Sequence, residues 1–318
     1  MPIVSNKIDN KKNLASVIIT EFIRIKDVIG WSAISFLGFI LGVSSLDLFN
    51  YILPLFVFVV ASFCIFSFTF AINNYYDAGS DRENPRRMHI NAIASGRISK
   101  QTGISINITF VFISLVISIL FKFEVFLFCA FLLFLGWAYS APPLRTKNKP
   151  ILDVIWHFIG FFSYIIWGSL IAGSVNRINL LFAISLGVWS CVGQVGNHIS
   201  DYSFDKESGT KTFAVWAGLE KSKITINILT LIHLIVLIPL FLLYSLSYYI
   251  TIIIIIVIPI VGLLVLKPKK GAFPTKRCFT YFFTIVIGGA VYLSCLVYHI
   301  LFLLDEPILG LLRFIGIP

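Results

Sequence analysis

The chain has 318 residues, 58% of them hydrophobic and only 13% charged, with apolar runs that repeatedly reach the roughly 20 residues needed to cross a bilayer. This composition defines an all-α polytopic membrane protein. The formal charge of +10 could suit nucleic acid, but its distribution along the chain excludes that partner.

The first 27 residues carry basic side chains without the charged, apolar and cleavage regions of a signal peptide, and are expected to form a retained tail with an interfacial helix from about Leu14 to Lys26. Nine membrane-crossing helices are predicted after it, at about 28–48, 50–76, 103–121, 124–140, 151–173, 179–200, 222–243, 246–266 and 280–304. The expected organisation is a tail over 1–27, one nine-helix bundle enclosing a central cavity over 28–304, and a short tail over 305–318. Of the 25 Lys and Arg, 22 fall in the N-terminal tail and in the loops after helices 2, 4, 6 and 8; only Lys122, Arg177 and Arg313 fall on the other side. The positive-inside bias makes the crowded side cytoplasmic, with the N terminus inside and the C terminus outside a cell membrane. Five scattered cysteines (Cys64, Cys129, Cys191, Cys278 and Cys295) show no metal-ligand spacing and read as buried packing thiols.

The cytoplasmic loops after helices 2 and 6 are long and carry both signs of charge, so function is expected at that face. They repeat a pattern. Asn73, Asp77 and Asp81 stand four residues apart in "NNYYDAGSD", and Asn197, Asp201 and Asp205 do the same 124 residues later in "NHISDYSFD". A step of four advances a helix by only about 40°, so each triplet would share a face. Gly79, Pro85 and Gly209 are expected to interrupt the helices and leave Asp81 and Asp205 on loops.

Like charges one turn apart repel, and near a membrane they require a partner. Oxygen donors from Asp and Asn, without His or Cys, suit a hard cation such as Mg²⁺, which commonly bridges carboxylates to phosphates. Arg82, Arg86, Arg87, Arg97, Lys206 and Lys211 lie close by in sequence and could bind the remaining phosphate oxygens, so the combination fits a diphosphate. One triplet alone would read equally well as helix caps. Two at equivalent positions argue for a site.

A third stretch, "YSAPPLRTK", ends helix 4 at Pro142 and Pro143. Arg145, Lys147 and Tyr139 are candidates to contact a phosphate, although a proline turn with topology-setting charges would look the same. Asp153 and His157 follow on helix 5, as cavity-lining or packing residues. An ion-coupled secondary transporter is the alternative from another class; it would place its carboxylates near the bilayer midplane, whereas both triplets lie at one interface. A binding-only homologue is a further alternative, against which the four intact aspartates argue.

From about residue 28 to 304 the sequence resembles the UbiA superfamily of intramembrane prenyltransferases, which have nine transmembrane helices and aspartate-rich motifs after helices 2 and 6. "NNYYDAGSD" is similar to the family's N-D-x-x-D-x-x-x-D with Asn74 in place of its second-position Asp, and "DYSFDKESGTKT" resembles its second motif; "ASGRIS" is also typical. The resemblance implies transfer of an isoprenoid from an allylic prenyl diphosphate to a lipophilic acceptor dissolved among the membrane lipids. It implies two Mg²⁺, one held by Asn73, Asp77 and Asp81 and one by Asn197, Asp201 and Asp205. The implied catalytic set is Asp77, Asp81, Asp201, Asp205, Lys147 and Tyr139. Diphosphate contacts are implied for Asn73, Arg82, Arg86, Arg87, Arg145, Asn197, Lys206 and Lys211. Aromatic side chains, Tyr75 and Tyr76 among them, are candidates to face an allylic carbocation. "YSAPPLR" followed by "PILD" resembles the arm with lycopene elongases, chlorophyll synthases and some aromatic prenyltransferases more than the glycerol-lipid enzymes. A geranylgeranylglyceryl-phosphate prenyltransferase is the alternative within the family.

Overall fold

The computed structural model describes residues 13–45, 47–244 and 287–304, all of it helix and connecting turns. Among them eight helices are long and apolar enough to cross a membrane. They are α2 (Ile25–Gly42), α3 (Phe49–Glu83), α5 (Lys100–Phe121), α6 (Phe123–Ser140), α7 (Pro150–Ala172), α8 (Arg177–Ser200), α11 (Leu219–Tyr244) and α12 (Ile287–Leu304). Short helix α1 (Leu14–Val17) precedes them, and α4 (Pro85–Met88), α9 (Tyr202–Glu207) and α10 (Phe213–Ala217) lie between them. These match eight of the nine predicted segments. The remaining one, 246–266, and Cys278 lie outside the described residues, whereas Cys64, Cys129, Cys191 and Cys295 are buried thiols as expected.

The chain divides into two units, Met1–Ala33 with Val59–Arg145, and Ile34–Phe58 with Thr146–Pro318.

In the first unit the expected interfacial helix is broken into pieces. Asn13 caps α1 by accepting from the Ser16 N–H, and the chain continues as a π-helical turn over Ile18–Phe22. Arg24 then adopts φ 57°, a left-handed conformation that stops the helix before α2 begins. This lets Phe22 point inward: it is fully buried in a cluster with Val17, Ile23, Ala71, Ala78, Ala92, Ile93 and Ile98. Small alanines on α3 admit the segment, and the loop after α4 closes over it. Ser99 caps α5 by accepting from Thr102 N–H, and α5 packs along α6.

The second unit is built on very close helix contacts. A Cβ on Gly38 would stand 2.0 Å from the Ile165 carbonyl oxygen, and one on Gly168 would stand 2.1 Å from that of Ser35. Small residues at this contact let α2 and α7 approach backbone to backbone, as membrane helices without a hydrophobic driving force require. Ser35 Oγ donates to Tyr164 O at 2.8 Å and Ser169 Oγ to Gly38 O at 2.9 Å, adding hydrogen bonds across the same contact. Helix α8 starts from a capping box at Asn176 and packs on α7 and α11.

Candidate active site

The first triplet lies on one uninterrupted helix. Gly79 does not break α3, which runs 35 residues to Glu83, so Asp81 is helical and not on a loop as its neighbours predicted. A single helical glycine costs only about 1 kcal/mol relative to alanine. Proline needs no N–H partner at a first helical position, and Pro85 accordingly opens α4. Asn73, Asp77 and Asp81 therefore share a face.

Asp77 and Asp81 are buried and Asn73 is half-buried. Each is held from outside the helix. Ser140 Oγ donates to Asn73 Oδ1 at 3.0 Å. Arg145 Nη2 donates to Asp77 Oδ1 at 3.0 Å. Asn91 Nδ2 donates to Asp81 Oδ2 at 2.9 Å. The proline turn after α6, with a cis Pro142–Pro143 bond and Arg145 at φ 34°, delivers the guanidinium to Asp77. Half-buried Tyr139 lies in the last turn of α6 just before it.

The predicted cations of this unit divide. Arg82 turns to the following loop, where its Nε donates to Ala94 O at 3.4 Å, and Arg87 is exposed; the Arg86 side chain lies outside the described residues. Arg97 pairs with Glu21 of the π-helical turn. Tyr75 packs against the buried cluster and takes the Lys100 ammonium 5.7 Å from its ring centroid.

In the second unit Asn197 lies in the last turn of α8, Asp201 caps it, and Asp205 stands on α9, again helical where a loop was expected. The backbone stays nearly continuous: the Asp201 N–H reaches Asn197 O and the Asp205 N–H reaches Asp201 O, both at 2.9 Å. Gly209, at φ 71°, comes after the helix and ends the turn there. Asp205 is buried, whereas Asn197, Asp201, Lys206 and Lys211 are exposed. Lys147 is half-buried on the 3-10 turn Thr146–Asn148.

Sequence reasoning missed two groups. Asn91 belongs to no spaced pattern, and only its position two residues before Ile93, whose N–H it accepts at 3.0 Å, marks it as a turn residue. In the second unit Asp153 of α7 accepts from Gln194 at 2.8 Å and lies 2.9 Å from His198 Nε2, with His157 3.5 Å away. Asp153 was legible as an intramembrane carboxylate; its partners on α8 were not.

The donor set fits Mg²⁺. Each motif supplies two carboxylates and one amide oxygen, and no group of three or more His, Cys, Asp or Glu that could hold a metal is assembled among the described residues. Hard cations such as Mg²⁺ take oxygen ligands of these kinds. Arg145 Nε is buried without a hydrogen-bond partner beside Asp77, a donor suited to a phosphate oxygen.

Fold and donor set together define an integral-membrane enzyme class. The model of the UbiA prenyltransferase family matches residues 32–286, and the chain belongs to that family of prenyltransferases. Among curated relatives, a digeranylgeranylglyceryl phosphate synthase of Korarchaeum cryptofilum is 28% identical over 195 residues, 61% of this chain and 67% of that protein. A lycopene elongase/hydratase of Corynebacterium glutamicum is 26% identical over 159 residues, 47% of this chain and 53% of the relative, so the match spans about half that protein's length. The structure of a UbiA homologue from Archaeoglobus fulgidus bound to GPP and Mg²⁺ aligns with TM-score 0.64 and 22% identity, covering 90% of this chain and 99% of that one. A digeranylgeranylglyceryl phosphate synthase structure aligns with TM-score 0.67 and 20% identity, covering 89% and 98%.

Proposed function

We propose that this protein transfers an isoprenoid chain from an allylic prenyl diphosphate to a hydrophobic membrane acceptor, an aromatic quinone precursor, a polyene or a lipid. The observation that carries the reading is the Asn73, Asp77, Asp81 face with Arg145 on Asp77, matched in sequence by Asn197, Asp201 and Asp205. The Archaeoglobus homologue solved with GPP and Mg²⁺ supports the donor class. The two curated relatives are named for different products, which leaves the acceptor to be read from the reaction itself.

Two Mg²⁺ are proposed, one for each triplet, and when bound they neutralise charge on the diphosphate. Heterolysis of the allylic C–O bond sends the electron pair to the departing diphosphate, where Arg145 and Lys147 stabilise developing charge more than the ground state. Arg82, Arg86, Arg87, Lys206 and Lys211 are proposed as further contacts to the diphosphate, and Tyr139 as a hydroxyl donor. The allylic carbocation is captured by the acceptor, which forms the new bond and loses a proton. Apolar helix faces exclude water from the cation.

The proposed organisation is a nine-helix domain over 28–304 around a central cavity, with the headgroup at the cytoplasmic face, the N terminus inside and the C terminus outside. The 22 of 25 basic residues on one side support that topology.

The test is turnover of labelled geranylgeranyl diphosphate by purified protein in lipid, with a membrane-lipid extract as acceptor pool. Mg²⁺-dependent labelled lipid, lost in Asp77→Ala and Asp201→Ala, is expected, and the product identifies the acceptor. Neither transfer nor diphosphate release with any chain length would overturn the reading.

A further inference from the structure

We propose that Asn91 is a positioning residue for the Asp81 carboxylate, and that Asn74 ties the docked N-terminal segment into the same device. The inference rests on the functional reading only in taking Asp81 as a metal ligand.

Asn91 is 2% exposed and lies in the loop after α4. Its Nδ2 donates to Asp81 Oδ2 at 2.9 Å and to the Asn74 carbonyl oxygen at 2.8 Å. Its Oδ1 accepts from the N–H groups of Ile93 at 3.0 Å and Ala94 at 3.2 Å. Two acceptors face one end of the amide and two donors face the other, so only one orientation satisfies all four. Asp81 cannot rotate its carboxylate without breaking this set. A small cation that demands near-ideal geometry gains from ligands restrained in this way by their own hydrogen-bond partners.

Asn74 carries the restraint to the N terminus. Its Nδ2 donates to the carbonyl oxygens of Glu21 at 3.1 Å and Phe22 at 2.8 Å, at the end of the π-helical turn. An aspartate here, the residue of the family motif, would set carboxylate oxygens against two carbonyls and donate nothing. The Glu21–Arg97 ion pair and the buried Phe22 ring hold the same segment on the other side. The departure from the motif is thus matched by a docked segment that the Asn74 amide holds and a carboxylate could not. A chain of contacts runs from Glu21 and Phe22 through Asn74 and Asn91 to Asp81.

The test reads metal binding without turnover, by the loss of the free Mn²⁺ electron paramagnetic resonance signal on titration of the full-length protein in detergent. Asn91→Ser keeps a side-chain oxygen at the turn on a shorter arm and removes the Nδ2 amide that donates to Asp81. It is expected to weaken Mn²⁺ binding about tenfold, in the direction of Asp81→Ala, a size usual for groups that orient metal ligands. The Mg²⁺ concentration for half-maximal transfer should rise by a similar factor, with kcat at saturating Mg²⁺ close to wild type. Asn74→Asp is expected to speed tryptic cleavage after Arg24 and to weaken Mn²⁺ binding. Wild-type Mn²⁺ affinity in Asn91→Ser beside weakened binding in Asp81→Ala overturns the proposal, and so does wild-type affinity in Asp81→Ala. Should Asn91→Ser fail to fold, Asn91→Gln, with the same amide on a longer arm, takes its place with the same outcomes. Because Mn²⁺ is titrated without donor or acceptor, a wild type that transfers no prenyl group overturns the functional reading alone, and the titration still decides this one.

Discussion

Nη2 of Arg145 lies 3.0 Å from Oδ1 of Asp77, joining residues 68 positions apart and setting the proline turn against the aspartate helix. A guanidinium here keeps donors for the proposed headgroup, because it presents five N–H donors and one carboxylate oxygen occupies only part of them. Arg145→Ala is expected to raise KM for the prenyl diphosphate by about ten- to a hundredfold, the worth of one hydrogen bond to a charged group. Arg145→Lys should recover part of the loss, since a point charge lacks the fork. Steady-state assays at saturating Mg²⁺ check both.

Chelation with EDTA should abolish transfer and Mg²⁺ should restore it. Asp81→Asn and Asp205→Asn, which keep shape and remove charge, are each expected to lower kcat/KM by at least about a hundredfold. Retention of activity in either variant would remove that motif from the proposed site.

The contact of α2 with α7 predicts a sharp contrast among glycines. Gly38→Ala and Gly168→Ala drive a methyl group into backbone at 2.0 and 2.1 Å, and each should destabilise the protein by about 2 kcal/mol or more. Gly30→Ala meets nothing within 4 Å and should be neutral or slightly stabilising through helix propensity. Thermal unfolding in detergent distinguishes the three.

Asp153 is 2% exposed and takes hydrogen bonds from groups on another helix. Asp153→Ala removes the acceptor that Gln194 and His198 share, leaving them only each other, and should cost about 1 to 3 kcal/mol. Asp153→Asn, able to keep one acceptor oxygen, should cost less, and the same unfolding measurement compares them.

The proposed topology predicts that, in a cysteine-free background, Lys211→Cys reacts with a membrane-impermeant maleimide in inverted vesicles and not in intact cells. Lys122→Cys should show the reverse. Labelling of both from one side would overturn the assignment.

Membrane helices were legible because each apolar run must reach across the bilayer with its backbone bonds satisfied internally, which makes length and hydrophobicity nearly sufficient. The ends were less so. Gly79 is a weak helix breaker and lies in an unbroken helix, because one glycine costs only about 1 kcal/mol and Asp81 beyond it is held by Asn91. The interfacial helix expected from Leu14 to Lys26 is divided at Arg24, because burying Phe22 under the loop demands a change of direction there.

By itself the sequence determined the membrane class, the position of the spans and the two four-residue aspartate ladders, because hydrophobic length and helical period are local properties written residue by residue. The tertiary structure alone decided which partners hold the first ladder, Ser140 on Asn73, Arg145 on Asp77 and Asn91 on Asp81, and that Gln194 and His198 meet Asp153. These pairs are separated by between 10 and 68 residues, and a hydrogen bond across such distances follows from packing that no local spacing encodes.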